Sequence, residues 1–173
     1  LNESKVQWVD KKDWVYLNQF EITEKELQKE NHELHFEGLD TYASVFVNDI
    51  LVLKSNNMHR NYVVDVKQHL KRGDNFLKVV LFSPINEGLK LYDALDYKIP
   101  VSANDQAEKG NVPEGKRVSA YTRKAGYHYG WDWGPRLVTS GIWRPITLVS
   151  WESFRIKDLQ VKYSFDSTIL FQT

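Results

Sequence analysis

Short apolar runs alternate with polar positions along most of the chain, and turn formers break them every few residues. Alternation with a period of two marks strands that bury one face. Residues 34–39 (LHFEGL) set Leu34 and Phe36 between polar neighbours. Residues 42–53 (YASVFVNDILVL) hold two runs rich in Val, Ile and Leu, parted by Asn48 and Asp49. That pair tolerates the positive φ angles of a tight turn, so the spacing predicts a hairpin. Residues 62–66 (YVVDV), 76–82 (FLKVVLF) and 146–151 (ITLVSW) read as further strands, with Gly73, Asp74 and Asn75 as a turn before the second. Residues 22–30 and 83–95 each have room for a helical turn or two, but neither carries a long apolar stripe. The expected fold is all-β, an antiparallel β-sandwich.

Two segments break this rhythm. Residues 96–126 are long, polar and turn-rich (NDQAEKGNVPEGKR), and loops of that length inside a domain are usually functional or disordered. After Trp151 a new alternation begins with Ile156, Leu159, Val161 and Tyr163 and stops before it builds a second core. The expected division is therefore a sandwich over residues 1–151 and the start of a truncated domain over 152–173. A chain that opens on Leu rather than Met reads as excised from a longer protein.

Length and composition narrow the chemistry. At 173 residues there is room for one ordinary core and a short extra segment. Lys plus Arg equals Asp plus Glu, at 23 each, so no net field draws nucleic acid or an anionic membrane. The absence of cysteine removes disulfides, thiolate nucleophiles and Cys-based zinc sites. No apolar run approaches membrane-spanning length. His32 and His35 are close in sequence but lack an obvious third ligand, so neither a metal nor another cofactor is expected. No phosphate loop and no Gly-x-Ser-x-Gly elbow is present. Arg72, Gly73 and Asp74 spell an adhesion-type tripeptide, but a polar turn accounts for it, and the sequon at Asn2 is what chance supplies. Nothing in the residues fixes a compartment; Asn and Lys usage leans bacterial.

Aromatics make up 13% of the chain, and they concentrate in residues 127–137, YHYGWDWGPRL. Gly130 and Gly134 free the backbone and Pro135 stiffens the exit, so Trp131, Asp132 and Trp133 can be held in one presentation. Indoles cover the C–H faces of sugars, and a carboxylate accepts from neighbouring hydroxyls. The same residues also fit a core pair of tryptophans around a turn-forming aspartate, and spacing alone leaves both open. Trp8, Trp14, Trp143 and Trp151 are expected in the core.

The segments FEGLDTYASVFVNDILV, SNNMHRNYVVDV, LKRGDNFLKVVLFSP and RKAGYHYGWDWGPRLVTSGIWRPITL resemble the amino-terminal sugar-binding domain of family 2 β-mannosidases. FEGLDT is common in family 2, whereas the tryptophan-rich run is specific to the mannosidase branch. The resemblance implies a jelly roll of the galactose-binding-domain type, lacking its first strands, with residues 152–173 opening an immunoglobulin-like domain. It implies a parent glycosidase that removes terminal β-D-mannose with retention. Its two catalytic glutamates, about 5–5.5 Å apart, would sit on a (β/α)8 barrel. Such a barrel needs at least about 200 residues, so no catalytic residue is expected here. By resemblance Asp132 would bind hydroxyls of the terminal mannose, Trp131 would wall that subsite and Trp133 would lie beside it. Arg123, Lys124 and His128 are candidate supports, with Arg123 expected to brace Asp132 through its rigid fork. The expected partners are a β-mannoside or manno-oligosaccharide and the parent's own barrel and immunoglobulin-like domains. A free-standing carbohydrate-binding module and a purely structural spacer remain alternatives.

Overall fold

The computed structural model describes residues 2–163 and 169–172. Its strands are β1 (Trp14–Ile22), β2 (Asn31–Phe36), β3 (Leu39–Asp40), β4 (Tyr42–Val47), β5 (Ile50–Asn56), β6 (Tyr62–Asp65), β7 (Gly73–Phe82), β8 (Gly141–Ile142), β9 (Ile146–Trp151), β10 (Gln160–Tyr163) and β11 (Ile169–Gln172). Three α-helices accompany them: α1 (Glu3–Val6), α2 (Glu24–Leu27) and α3 (Pro84–Ala94). One antiparallel sheet runs β1-β7-β4-β5 and a second runs β6-β2-β9, with β3-β8 as a short pair at one end. Leu34 and Phe36 of β2 pack against Ala43, Val45 and Val47 of β4 and Leu77, Val79 and Leu81 of β7, which closes the sandwich. Each large aliphatic side chain buried there contributes about 1.5–3 kcal/mol. The all-β sandwich expected from the alternation is the architecture found.

Local chemistry explains the elements. Asn48 and Asp49 turn β4 into β5 with φ of 48° and 65°, both in the left-handed region that this tight hairpin turn requires. The Asn48 amide side chain donates to the His69 carbonyl at 2.7 Å and to Asn75 Oδ1 at 2.8 Å, tying the tip to the β7 entry. Gly73, Asp74 and Asn75, expected as turn residues, already belong to β7, where Gly73 pairs with Ile22 and Asn75 with Phe20. Ser83 caps α3 by accepting from the Asn86 amide at 3.0 Å, and Pro84 pre-sets the first turn. The helix runs for eleven residues, longer than the turn or two read from its sequence. Thr23 and Glu26 form a reciprocal capping box on α2.

β1 escaped the sequence reading. Its inward residues include Trp14, Phe20 and the buried Ile22, while Val15 and Leu17 point outward and are exposed, so apolar residues on both faces hide the alternation. β1 and β9 each pair on one side only, and an apolar groove of about 460 Å³ lies between them, lined by Tyr16, Phe20, Ile142, Pro145 and Leu148. β10 and β11 pair with each other in a sheet separate from the sandwich. Within the described residues no helix is long and apolar enough to cross a membrane.

The polar segment after α3 is packed. Val118, Tyr129 and Val138 form a second small core with Ile85 of α3, and Tyr129 is almost fully buried. Gly88 lets α3 approach closely, because a Cβ there would stand 2.9 Å from that of Val118. Backbone bonds from Gln106 to Tyr129 (2.8 Å) and from Met58 to Arg123 (3.0 Å) tie the segment to itself and to the sandwich.

Candidate functional site

The stretch YHYGWDWGPRL leaves this second core and returns to it. A single-turn 3-10 helix over Gly126–Tyr129 buries Tyr129, and Gly130 then takes φ of 116° with the Asn104 carbonyl oxygen 2.9 Å from where a Cβ would lie. Only glycine fits that position without strain. Trp131 and Gly134 exchange two backbone hydrogen bonds, at 3.2 and 3.3 Å, which fold Asp132 and Trp133 into a two-residue tip. The Trp131 and Trp133 rings meet edge to face at 5.9 Å. Trp131 is 43% exposed and Trp133 82% exposed. Asp132 is also exposed and makes no hydrogen bond or ion pair among the described residues.

Two buried ion pairs hold the ends of this loop. On one side Lys124, whose side chain is fully buried, pairs with Asp40 of β3, and the second Asp40 oxygen accepts from Thr41. On the other side Arg136 Nη1 donates to Asp10 at 2.5 Å and to Gln7 at 2.6 Å, while Nη2 reaches the Glu108 carbonyl at 3.3 Å. Gln7 in turn donates to the Arg136 carbonyl at 2.7 Å. Burial pushes the Asp10 carboxyl up and the Lys124 amine down, each against the pull of its partner. Removing either partner of such a pair leaves an uncompensated buried charge.

The supports differ from those read in the sequence. Arg123 does not brace Asp132: its side chain is exposed, and its backbone carbonyl serves Met58 instead. Lys124 acts on the loop stem through Asp40, with no contact to the tip. His128 stacks on Tyr127 at 4.7 Å, and its Nδ1 faces the Leu137 carbonyl at 3.2 Å and Thr139 Oγ1 at 3.3 Å. Arg136, which was not singled out as a brace, does that work from inside the motif. Its partner Asp10 lies 126 residues away, so no local signal pointed to it.

Two tryptophans expected in the core are at the surface. Trp8 is 54% exposed, packing on Trp14 at 6.1 Å. Trp143 is 46% exposed, lying over Gly38 with Arg144 above its ring at 4.3 Å. Trp14 and Trp151 are half-buried. His32 and His35 cannot chelate together, because β2 sends His32 inward to the Glu26 carbonyl and His35 outward to Glu33.

Behind the tip lies a cleft of about 930 Å³, at the upper end of ordinary ligand pockets. Trp131, Trp133, Tyr127, His128 and Leu137 line it, whereas Asp132 does not. The loop thus carries an exposed carboxylate at its tip, and the two indoles beside it help wall the cleft.

A family profile described as the glycosyl hydrolase 2 galactose-binding domain-like family matches residues 1–144. The chain is 34% identical over 168 residues to β-mannosidase B of Thermothelomyces thermophilus, and 35% identical over 170 residues to that of Aspergillus niger. Each alignment spans 97% of this chain but only 18% and 19% of those proteins, so the chain covers under a fifth of their length. The crystal structure of a β-D-mannosidase from Dictyoglomus thermophilum superposes with a TM-score of 0.82 at 35% identity, over 93% of this chain and 18% of that one. With most of its length matched by that profile and its sandwich matched by a solved relative, the chain belongs to the galactose-binding domain-like family of glycoside hydrolase family 2.

Proposed function

We propose that this chain is the non-catalytic sugar-binding domain of a retaining β-mannosidase and that its loop completes the subsite for the terminal non-reducing mannose. The observation that carries this reading is the tip itself. A solvent-facing carboxylate with no partner among the described residues sits between two exposed indoles, on a stem locked by two buried ion pairs. Leaving Trp133 82% exposed forgoes the hydrophobic stabilisation that burying so large an apolar side chain would bring, which fits a surface kept for a ligand or a neighbouring domain. In this reading Asp132 accepts from mannose hydroxyls, Trp131 forms a wall and Trp133 packs at its edge. Lys124 and Arg136 hold the stem so that the tip keeps its geometry.

A purely structural role fits the stem, where Tyr129 is core, but not the tip. The catalytic barrel and an immunoglobulin-like domain would be the neighbours in the parent protein. The separate β10-β11 pair, and the exposure of Phe154, Ile156, Leu159 and Tyr163, support assigning residues 152–173 to the start of that second domain. The test is a comparison of turnover. The parent protein should hydrolyse an aryl β-D-mannoside with retained configuration, and the 173-residue chain alone should release nothing above a blank. Turnover by the isolated chain, or a parent that ignores β-mannosides, would refute the reading.

A further inference from the structure

Four strands end the two sheets of the sandwich, and two of them are protected. β5 carries Lys54, and its pairing with β4 slips by one residue between Val45 and Phe46. β6 is only four residues long and ends on Asp65. A lysine, a bulge and a short strand are the usual guards against stray pairing at an open edge. β1 has none of them. It runs for nine residues with no lysine and no proline, and its one charge is Glu21. β9 carries no charged residue in its six. These two unguarded edges border the same apolar groove, and the core side chains of Leu34, Leu77 and Val79 reach its lining. Tyr16 also lines it, yet remains 44% exposed. Alternate residues of β1 and β9 turn backbone N–H and C=O groups away from their one neighbour, and no further strand among the described residues receives them.

We propose that this groove is an interface with a second copy of the chain, in which β1 pairs antiparallel with β1, and β9 with β9, across one two-fold axis. A single extended peptide would cover one edge and leave the other open, whereas a second copy meets both. β1 is self-complementary about Asn18. That register sets Tyr16 against Phe20, Trp14 against Ile22 and Leu17 against Gln19, and it brings each Asn18 beside its own mate. No two charges oppose, because each Glu21 faces a Val15. Tyr16 and Phe20 of both copies then close the groove into one apolar layer. The rim adds opposite signs: Glu21 and Arg144 have no ion-pair partner among the described residues, and Arg144 lines the groove with Tyr16. Antiparallel pairing carries the other copy's Glu21 to that same end of β1. None of this depends on the mannosidase reading, since it uses only the edges, the groove and the pattern of β1.

The test is sedimentation equilibrium of the 173-residue chain over about 1–200 µM, where the average mass should rise from one chain toward two. Asn18→Lys sets two like charges side by side at the centre of the interface and should weaken association at least about tenfold. Asn18→Asp should do the same. An equimolar mixture of the two variants turns that repulsion into attraction and should restore a dimer with one chain of each. Asn18 is exposed and its side chain has no hydrogen-bond partner among the described residues, so melts of both variants at low concentration should match the original. A chain that stays monomeric at every concentration would overturn the proposal. So would a folded Asn18→Lys that dimerises as tightly as the original, or a mixture that remains monomeric. Slow exchange of the β1 edge amides in a monomeric, longer parent would give the groove to another segment of that protein, and would overturn it as well.

Discussion

Lys124→Ala removes the cation from a pair whose two side chains are 0% and 6% exposed. Asp40 would be left with Thr41 as its remaining side-chain donor, inside a region water does not reach. Breaking a buried pair from one side costs about 3–5 kcal/mol, because the surviving charge has lost water and gained nothing. A domain of this size loses about 2–4 °C of Tm per kcal/mol, so the fall should be about 6–20 °C. Thermal melts followed by circular dichroism at neutral pH would measure it. The double variant Asp40→Leu with Lys124→Met removes both charges together and should recover most of the loss. A Lys124→Ala shift below about 2 °C, or a double variant as unstable as the single one, would refute the claim that this pair locks the loop stem.

Other consequences are equally specific. Gly130→Ala must hold a Cβ at φ of 116° and 2.9 Å from the Asn104 carbonyl oxygen, so a loss of about 2–4 kcal/mol is expected from urea midpoints, and a neutral result would contradict the loop geometry. Asp49→Gly should raise stability by up to about 1 kcal/mol, since glycine occupies the second position of this turn without strain, and a melt would report it. Burial is the largest cause lowering the pKa of both His32 and His128 below the ordinary 6.5. The unfolded chain therefore takes up those protons first, so stability is complete above about pH 6.5 and is lost as pH falls from there toward the lower folded values. A urea series between about pH 7.5 and 5.5 should show that decline, and a flat profile would count against the burial of these rings.

How much was legible depended on whether the governing partner was near in sequence. The β4-β5 hairpin was readable because Asn48 and Asp49 are themselves the turn. β1 was not, because Val15 and Leu17 give it an apolar outer face and mask the period of two. The presence of a fixed aromatic loop could be read from Gly130, Gly134 and Pro135, but its braces could not. Lys124 and Arg136 find Asp40 and Asp10 at separations of 84 and 126 residues, and a charged residue type gives no sign of being buried. Arg123, the locally attractive choice, points to solvent. The same ambiguity misplaced Trp143, whose indole covers Gly38 from outside rather than filling the core. An apolar residue type is equally consistent with a core filler and a surface lid, and only the tertiary contact decides.

The central claim is that the tip exists to touch sugar, and Asp132→Ala in the parent protein tests it most directly. Asp132 is exposed and has no partner in its own domain among the described residues, so the Tm should stay within a degree or so of the original. Losing a charged hydrogen bond to the substrate should cost about 1.5–3 kcal/mol, a fall in kcat/KM of roughly one to two decades on a β-mannoside. An unchanged kcat/KM, or a loss of activity explained by unfolding, would contradict the account.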